Sequence, residues 1–311
     1  MTHVATLVGA PGAGTLTPEI LAAAAKRLPG AGKPVILAPG EAADIPFAPG
    51  AAHGNRADGA FADAAYCKAA VSVLQLGLGA QPLDIFVQPL EGRRKKLLLA
   101  DMDSTMIGQE CIDELADFVG LKAKVAAITE RAMRGEIAFE PALRERVALL
   151  AGLDAGVVDK AIEERITLTS GGTALVRTMR AHGAYTALVS GGFTLFTSRI
   201  AEKIGFDENR ANILLVERGK FVGKVLEPIL GKAAKLATLQ DLAARKELEL
   251  NETLAIGDGA NDLAMLQAAG LGVAYRAKPA VATAAQARVE HGDLTALLFA
   301  QGFRAEEFVM E

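Results

Sequence analysis

Hydrophobic positions along the chain fall into two rhythms. Leu97–Ala100, Tyr185–Val189, Thr253–Ile256 and Leu271–Tyr275 are short apolar runs with polar or glycine borders. Runs of this kind predict strands buried on both faces, as in a parallel sheet. After the first run the apolar residues recur at helical spacing, over Asp113–Phe118, Ala123–Arg134, Phe139–Leu150 and Ala155–Ile166. The 84 residues between Thr105 and Ser190 far exceed the roughly 30 of a βαβ crossover. The excess predicts an inserted helical module, at about 113–178. Ala211–Val225 predicts a hairpin turned at Arg218-Gly219.

The first 90 residues have a different texture. Only 11 of them are charged, 5 basic and 6 acidic, about half the density of the whole chain. Strands are predicted at His3–Val8, Pro34–Ala38, Asp44–Phe47 and Asp84–Val87. Thr17-Pro18-Glu19 opens a helix running to about Arg27, with a capping hydroxyl, a proline in the first turn and an early acid. Ala60–Leu76 predicts a second. The expected organisation is therefore an α+β unit over 1–92 and an α/β unit over 93–311. The order β-α-β-β-α-β resembles a ferredoxin-like, ACT-like regulatory domain. A dimerisation element is an equally open reading of these residues.

Composition narrows the partners. The chain has 311 residues, 51% hydrophobic and 23% charged, with a net charge of −4. That suits a globular protein and gives no footprint for nucleic acid. No apolar run is long enough to span a membrane, and Met1-Thr2-His3-Val4 does not open a signal peptide, so a cytoplasmic location is expected. Cys67 and Cys111 have no redox or metal spacing and are expected as free thiols. His3, His53, His182 and His291 form no ligand pattern, so structural or surface roles are expected for all four. Gly9-Ala10-Pro11-Gly12-Ala13-Gly14-Thr15 has the placing of a phosphate loop but lacks the lysine that would reach the phosphates. A glycine-rich turn is the better reading.

Chemistry gathers where the buried strands end. Asp101 and Asp103 follow Leu97–Ala100 at positions i and i+2, which point the same way in an extended chain. Two carboxylates there can hold a hard cation such as Mg²⁺, or pair a nucleophile with an acid/base. Ser190-Gly191-Gly192 follows the second run, and Gly257-Asp258-Gly259-Ala260-Asn261-Asp262 the third, with Lys235 lying 23 residues before Asp258.

Together Asp101-Met102-Asp103-Ser104-Thr105, Ser190-Gly191-Gly192, Lys235 and Gly257–Asp262 resemble the four motifs of the haloacid dehalogenase superfamily. Within it, the phosphoserine phosphatase family is the closer match. The stretch Asp103–Asp113 fits, with Cys111 where glycine is usual, as do Thr129–Phe139, Leu143–Val147 and Ala277-Lys278-Pro279. The resemblance covers about 93–300. It implies a Rossmann-like parallel sheet with an α-helical cap of the C1 type. It implies Mg²⁺-dependent hydrolysis of O-phospho-L-serine through an aspartyl-phosphate, as the last step of serine synthesis. Asp101 would be the nucleophile and Asp103 the general acid/base. The metal would be held by Asp101, Asp258 and the backbone carbonyl of Asp103, with Asp262 supporting from behind. Ser190, Gly191, Lys235 and Asn261 would bind the phosphoryl end. Glu110 would take the ammonium group and Arg146 the carboxylate, under an apolar wall of Met133 and Phe139. A homodimer is compatible with the resemblance. Another small phosphate as substrate, a phosphotransferase, and a serine sensor are the competing readings.

Overall fold

The computed structural model describes the backbone of residues 1–50, 59–133 and 136–310, and side chains over 1–50, 64–131 and 136–310. His53 and the Met133 side chain, both named above, lie outside the described residues.

The N-terminal unit is built from β1 (His3–Gly9), α1 (Pro18–Ala25), β2 (Val35–Ala38), β3 (Ala42–Phe47), α2 (Gly59–Leu78) and β4 (Leu83–Pro89). Thr17 caps α1 by accepting the Ile20 amide through its hydroxyl, and Pro18 sits in the first turn. The four strands form an antiparallel sheet of order β2-β3-β1-β4, the ferredoxin-like arrangement the sequence order predicts.

Both faces of this sheet are covered. On one, Ala5, Leu7, Ile45, Phe47 and Ile85 pack with Leu21, Ala24 and Leu74 of the two helices. On the other, Val8, Ala42 and Phe86 share one apolar core with Leu294, Leu297 and Phe299 from the far end of the chain. Alternation along β1 and β4 sorts residues to the two faces.

The parallel sheet uses β5 (Leu97–Ala100), β6 (Tyr185–Phe193), β7 (Glu208–Asn212), β10 (Thr253–Gly257), β11 (Leu271–Tyr275) and β12 (Ala287–Val289). Its order is β12-β11-β10-β5-β6-β7, and each neighbouring pair is parallel. Every residue of β5, β10 and β11 is buried, as the unbroken apolar runs require. The helices α8 (Thr194–Ile204), α9 (Lys232–Arg245), α10 (Leu263–Ala268), α11 (Pro279–Ala284) and α12 (Ala296–Ala300) complete this layer.

Between β5 and β6 lie α3 (Cys111–Phe118), α4 (Lys122–Met133), α5 (Phe139–Ala148), α6 (Val157–Glu164) and α7 (Gly172–Ala181). The first four form the cap. Its two connections run side by side: Ile107 bridges Leu168, and the Gly108 amide donates to the Thr167 carbonyl at 3.0 Å. The 113–178 stretch expected for the cap includes most of α7, which packs against β6.

The hairpin is β8 (Leu214–Glu217) and β9 (Lys220–Val225). It turns at Arg218 (φ 51°) and Gly219 (φ 77°), the positive-φ pair of a tight two-residue hairpin. It begins later than expected, because Ala211 and Asn212 complete β7 of the parallel sheet.

Candidate active site

The register of the parallel sheet assembles the site. Ala100 lies opposite both Ile256 and Leu188, so the carboxyl ends of the three strands lie side by side. Asp101 is extended (φ −70°, ψ 156°), and a single wide turn follows over Met102–Met106. Met102 is buried in the apolar core while Asp101 and Asp103 face the strand ends, so the alternation expected of the pair persists past the strand. Ser104 takes up the reversal at φ 56°, a backbone setting that costs a non-glycine residue about 1 kcal/mol or more.

Each acid has an assigned neighbour. Asp103 accepts the Cys111 amide on Oδ1 at 2.9 Å and the Ser190 hydroxyl on Oδ2 at 2.9 Å. Gly192 makes this approach possible. A Cβ there would lie 3.0 Å from both Asp103 Oδ2 and Ser190 Oγ. Lys235 Nζ lies 2.6 Å from Asp101 Oδ1 and 2.6 Å from Asp262 Oδ1. Asp262 is fully buried, and its Oδ2 accepts the Gly259 amide. Thr105 donates its hydroxyl to Asp258 Oδ1 at 3.2 Å.

The electrostatics follow from burial. Burial pushes the Asp101 carboxyl well above its ordinary range, against the pull of Lys235. Burial alone would lower Lys235; Asp101 and Asp262 overcome it and hold the ammonium above its usual value. Asp258 is raised by burial and by Asp262. Such concentrated negative charge calls for a cation beyond Lys235. One oxygen from each of Asp101, Asp258 and Asp262 lies within 4.8 Å of the others. Both Asp262 oxygens are committed, which leaves Asp101 and Asp258 as the better-placed pair. Buried carboxylate oxygens at this density fit Mg²⁺.

The cap closes over these groups. Phe139, at the start of α5, lies over Gly191, where a Cβ would sit 3.5 Å from Phe139 Cζ. It lines a cavity of about 20 Å³ together with Ser190, Gly191, Lys232, Lys235 and Asn261. That is room for about one water molecule.

Glu110 accepts the Ser104 hydroxyl at 2.8 Å. Burial, then Asp103, raises it to about 7. Arg146 reaches from α5 and is held by the Ala142 carbonyl at 3.3 Å and Thr129 Oγ1 at 3.4 Å. Its burial is opposed by the charges of Asp113 and Glu110. The structure thus gathers Asp101, Asp103, Ser190, Lys235, Asp258 and Asp262 at the strand ends, with Phe139, Gly191 and Asn261 on the adjoining cavity.

Three contributors carry no signal in the sequence reading. Asn212 donates to the Gly191 carbonyl at 2.8 Å and accepts the Leu230 amide at 2.7 Å, tying the serine loop to the loop before α9. Lys232 lines the cavity from the first turn of α9. Cys111 supplies a backbone amide, which no side-chain pattern can reveal. The glycine-rich turn after β1 contributes no residue to this cavity. His182 Nδ1 lies 2.9 Å from the Thr178 carbonyl and its ring packs on Phe303, a structural role. Both cysteines are free thiols. Among the described residues no helix is long and apolar enough to cross a membrane.

Known proteins agree with this architecture. The family of haloacid dehalogenase-like hydrolases matches residues 98–267. A phosphoserine phosphatase of Streptomyces coelicolor is 45% identical over 218 residues, which are 70% of this chain and 53% of that longer protein. A HAD family hydrolase structure from Salmonella enterica serovar Typhi superimposes with a TM-score of 0.80 at 27% identity, covering 96% of this chain and 98% of its own. A phospho-aspartyl intermediate analogue of a phosphoserine phosphatase is 41% identical, with a TM-score of 0.61, over 66% of this chain and 98% of that one.

Proposed function

The chain belongs to the haloacid dehalogenase-like hydrolases, and from that premise we propose that it hydrolyses O-phospho-L-serine to serine and phosphate. The observation that carries the substrate choice is the placing of a buried Glu110, within the field of Asp103, and a buried Arg146, within the field of Glu110, on the cap side of the site. An acid and a guanidinium flanking a phosphoryl site match the ammonium and carboxylate of an amino acid. Relatives that act on phosphoserine support the same reading.

Asp101 attacks phosphorus. The Asp101–phosphorus bond forms as the bond from phosphorus to the serine oxygen breaks, giving an aspartyl-phosphate. Asp103 protonates the departing oxygen. It then takes a proton from the water that cleaves the acyl phosphate, which restores Asp101 and releases phosphate. The Ser190 hydroxyl, the Gly191 amide, Asn261 and the Lys235 ammonium hold the phosphoryl oxygens. Asp262 keeps Lys235 charged and aimed. Mg²⁺, held by Asp101, Asp258 and the Asp103 carbonyl, would offset the repulsion between carboxylate and phosphate. Phe139 shuts water away from the site until the intermediate forms.

Phosphate release from L-phosphoserine, phosphothreonine, phosphoethanolamine and glycerol phosphate tests the proposal. L-Phosphoserine should be strongly preferred, and Asp101→Asn should lower kcat by about a thousandfold or more. Equal rates on all four substrates would remove Glu110 and Arg146 from the recognition of substrate. Activity surviving in Asp101→Asn would overturn the mechanism.

A further inference from the structure

The two sheets meet edge to edge. β4 is the end strand of the antiparallel sheet and β12 the end strand of the parallel one. Asp84 of β4 pins the seam by accepting the amides of Glu290, His291 and Gly292 at 2.7 to 3.2 Å. Beside this pin opens a cleft of about 440 Å³, within the range of roughly 300–1,000 Å³ usual for small-molecule sites. It shares no lining residue with the catalytic cavity.

One wall is a stripe of α2 that carries Lys68, Ser72 and Gln75 at helical spacing. The other is the end of α11 and the β12 edge, with Arg288 and His291. Apolar positions Val71, Leu83 and Ile85 floor the space between them.

We propose that this cleft binds a small organic dicarboxylate that bridges the two walls, with one carboxylate on Lys68 and the other on Arg288. Asp84 cannot compete for these cations, because both its oxygens are taken by backbone amides. Lys68 Nζ has no ion pair among the described residues. Arg288 pairs loosely with Glu290, Nε lying 3.5 Å from Oε2, which leaves its guanidinium able to take a planar carboxylate. The chain as a whole is acidic, so two such cations facing each other across a cleft are set against the general charge.

The seam is also wired to the cap. Residues 290–292 lead directly into Asp293, which accepts the Ser170 hydroxyl at 2.6 Å. The adjacent Thr169 amide donates to the Met106 carbonyl at 3.0 Å, at the end of the turn that carries Asp103. A ligand that ties α2 to β12 therefore acts on the segment that joins the cap to the sheet. It should change KM for the phosphorylated substrate.

Calorimetric titration of the full chain with succinate is the test, with butyrate and L-serine in parallel. Succinate should bind saturably, and butyrate about tenfold more weakly. The double variant Lys68→Glu, Arg288→Glu should lose about tenfold or more in succinate affinity while keeping its basal activity. Saturating succinate should shift KM for L-phosphoserine about twofold or more in the wild type and leave the double variant unmoved. No saturable heat, equal heats in the double variant, or L-serine binding in place of succinate would overturn the site. Binding with an unchanged KM would overturn its link to the cap. The KM arm rests on the phosphoserine reading and the calorimetric arm does not, so the two can fail separately.

Discussion

Glu110 is the residue whose charge the solvent can set within the working range of the site. Burial and the neighbouring Asp103 raise it to about 7, so below that pH it is largely protonated and has lost its attraction for an ammonium group. The sign follows. KM for L-phosphoserine should fall as pH rises through about 7, and Mg²⁺ beside Asp103 and Asp258 should move this limb to lower pH. Glu110→Gln should raise KM and flatten the limb, and a substrate without an amine, such as glycerol phosphate, should not show it. Initial-rate kinetics from pH 5.5 to 8.5 separate these cases. Arg146 differs in kind: its guanidinium stays protonated across this range despite burial, so its contribution to binding is constant with pH.

At the scale of elements, the cap rests on more than its two connections. The β8–β9 hairpin leaves the sheet layer and lies along α5, the helix that carries Phe139 and Arg146. The Gly152 amide donates to the Phe221 carbonyl at 2.8 Å, and the Phe221 amide returns to Leu153 at 2.9 Å. Arg144 of α5 reaches Glu227, just beyond the hairpin, at 2.8 Å. The contact depends on Gly223, at φ 80°, where a Cβ would lie 2.8 Å from the Ala151 Cβ. Gly223→Ala should therefore push the hairpin off α5 and strain the backbone. A loss of about 1–3 kcal/mol is expected, read as a lower melting temperature, together with a raised KM as Arg146 loses its support. An unchanged KM with a lowered melting temperature would confine the hairpin to a structural role.

At the scale of the molecule, the N-terminal unit is not a loosely tethered appendage. The second face of its sheet is buried against the C-terminal segment, with Phe86 and Val8 in the same core as Leu297 and Phe299. Polar links reinforce this. Arg93 joins Asp44 at 2.7 Å, and Gln88 donates to the Ala300 carbonyl at 2.6 Å. Asp84 carries the largest share, with one buried carboxylate serving three amides. Asp84→Ala should cost about 2–4 kcal/mol, because it strands those donors at the seam. A single cooperative thermal transition at a lower temperature is the expected result. Two separated transitions would show that the halves unfold independently.

Much of this molecule was legible along the chain, for a physical reason. A strand buried on both faces must be apolar without interruption, so β5, β10 and β11 announce themselves. A carboxylate placed just beyond such a run can only emerge at the sheet's ligand edge, so Asp101, Asp103 and Asp258 could be picked out before any coordinates. Likewise the surplus of 84 residues required an insertion. What the chain could not declare depends on backbone atoms and on contacts between distant segments. The Cys111 amide on Asp103, the clip that Asn212 makes between two loops, the hairpin's rest on α5 and the Asp84 seam all join groups whose partners are fixed only when the sheet register is set. Hydrophobic period decides which elements form and which faces they bury. Tertiary packing alone decides which buried polar groups meet, since each must find a partner or lose the free energy of its lost hydration.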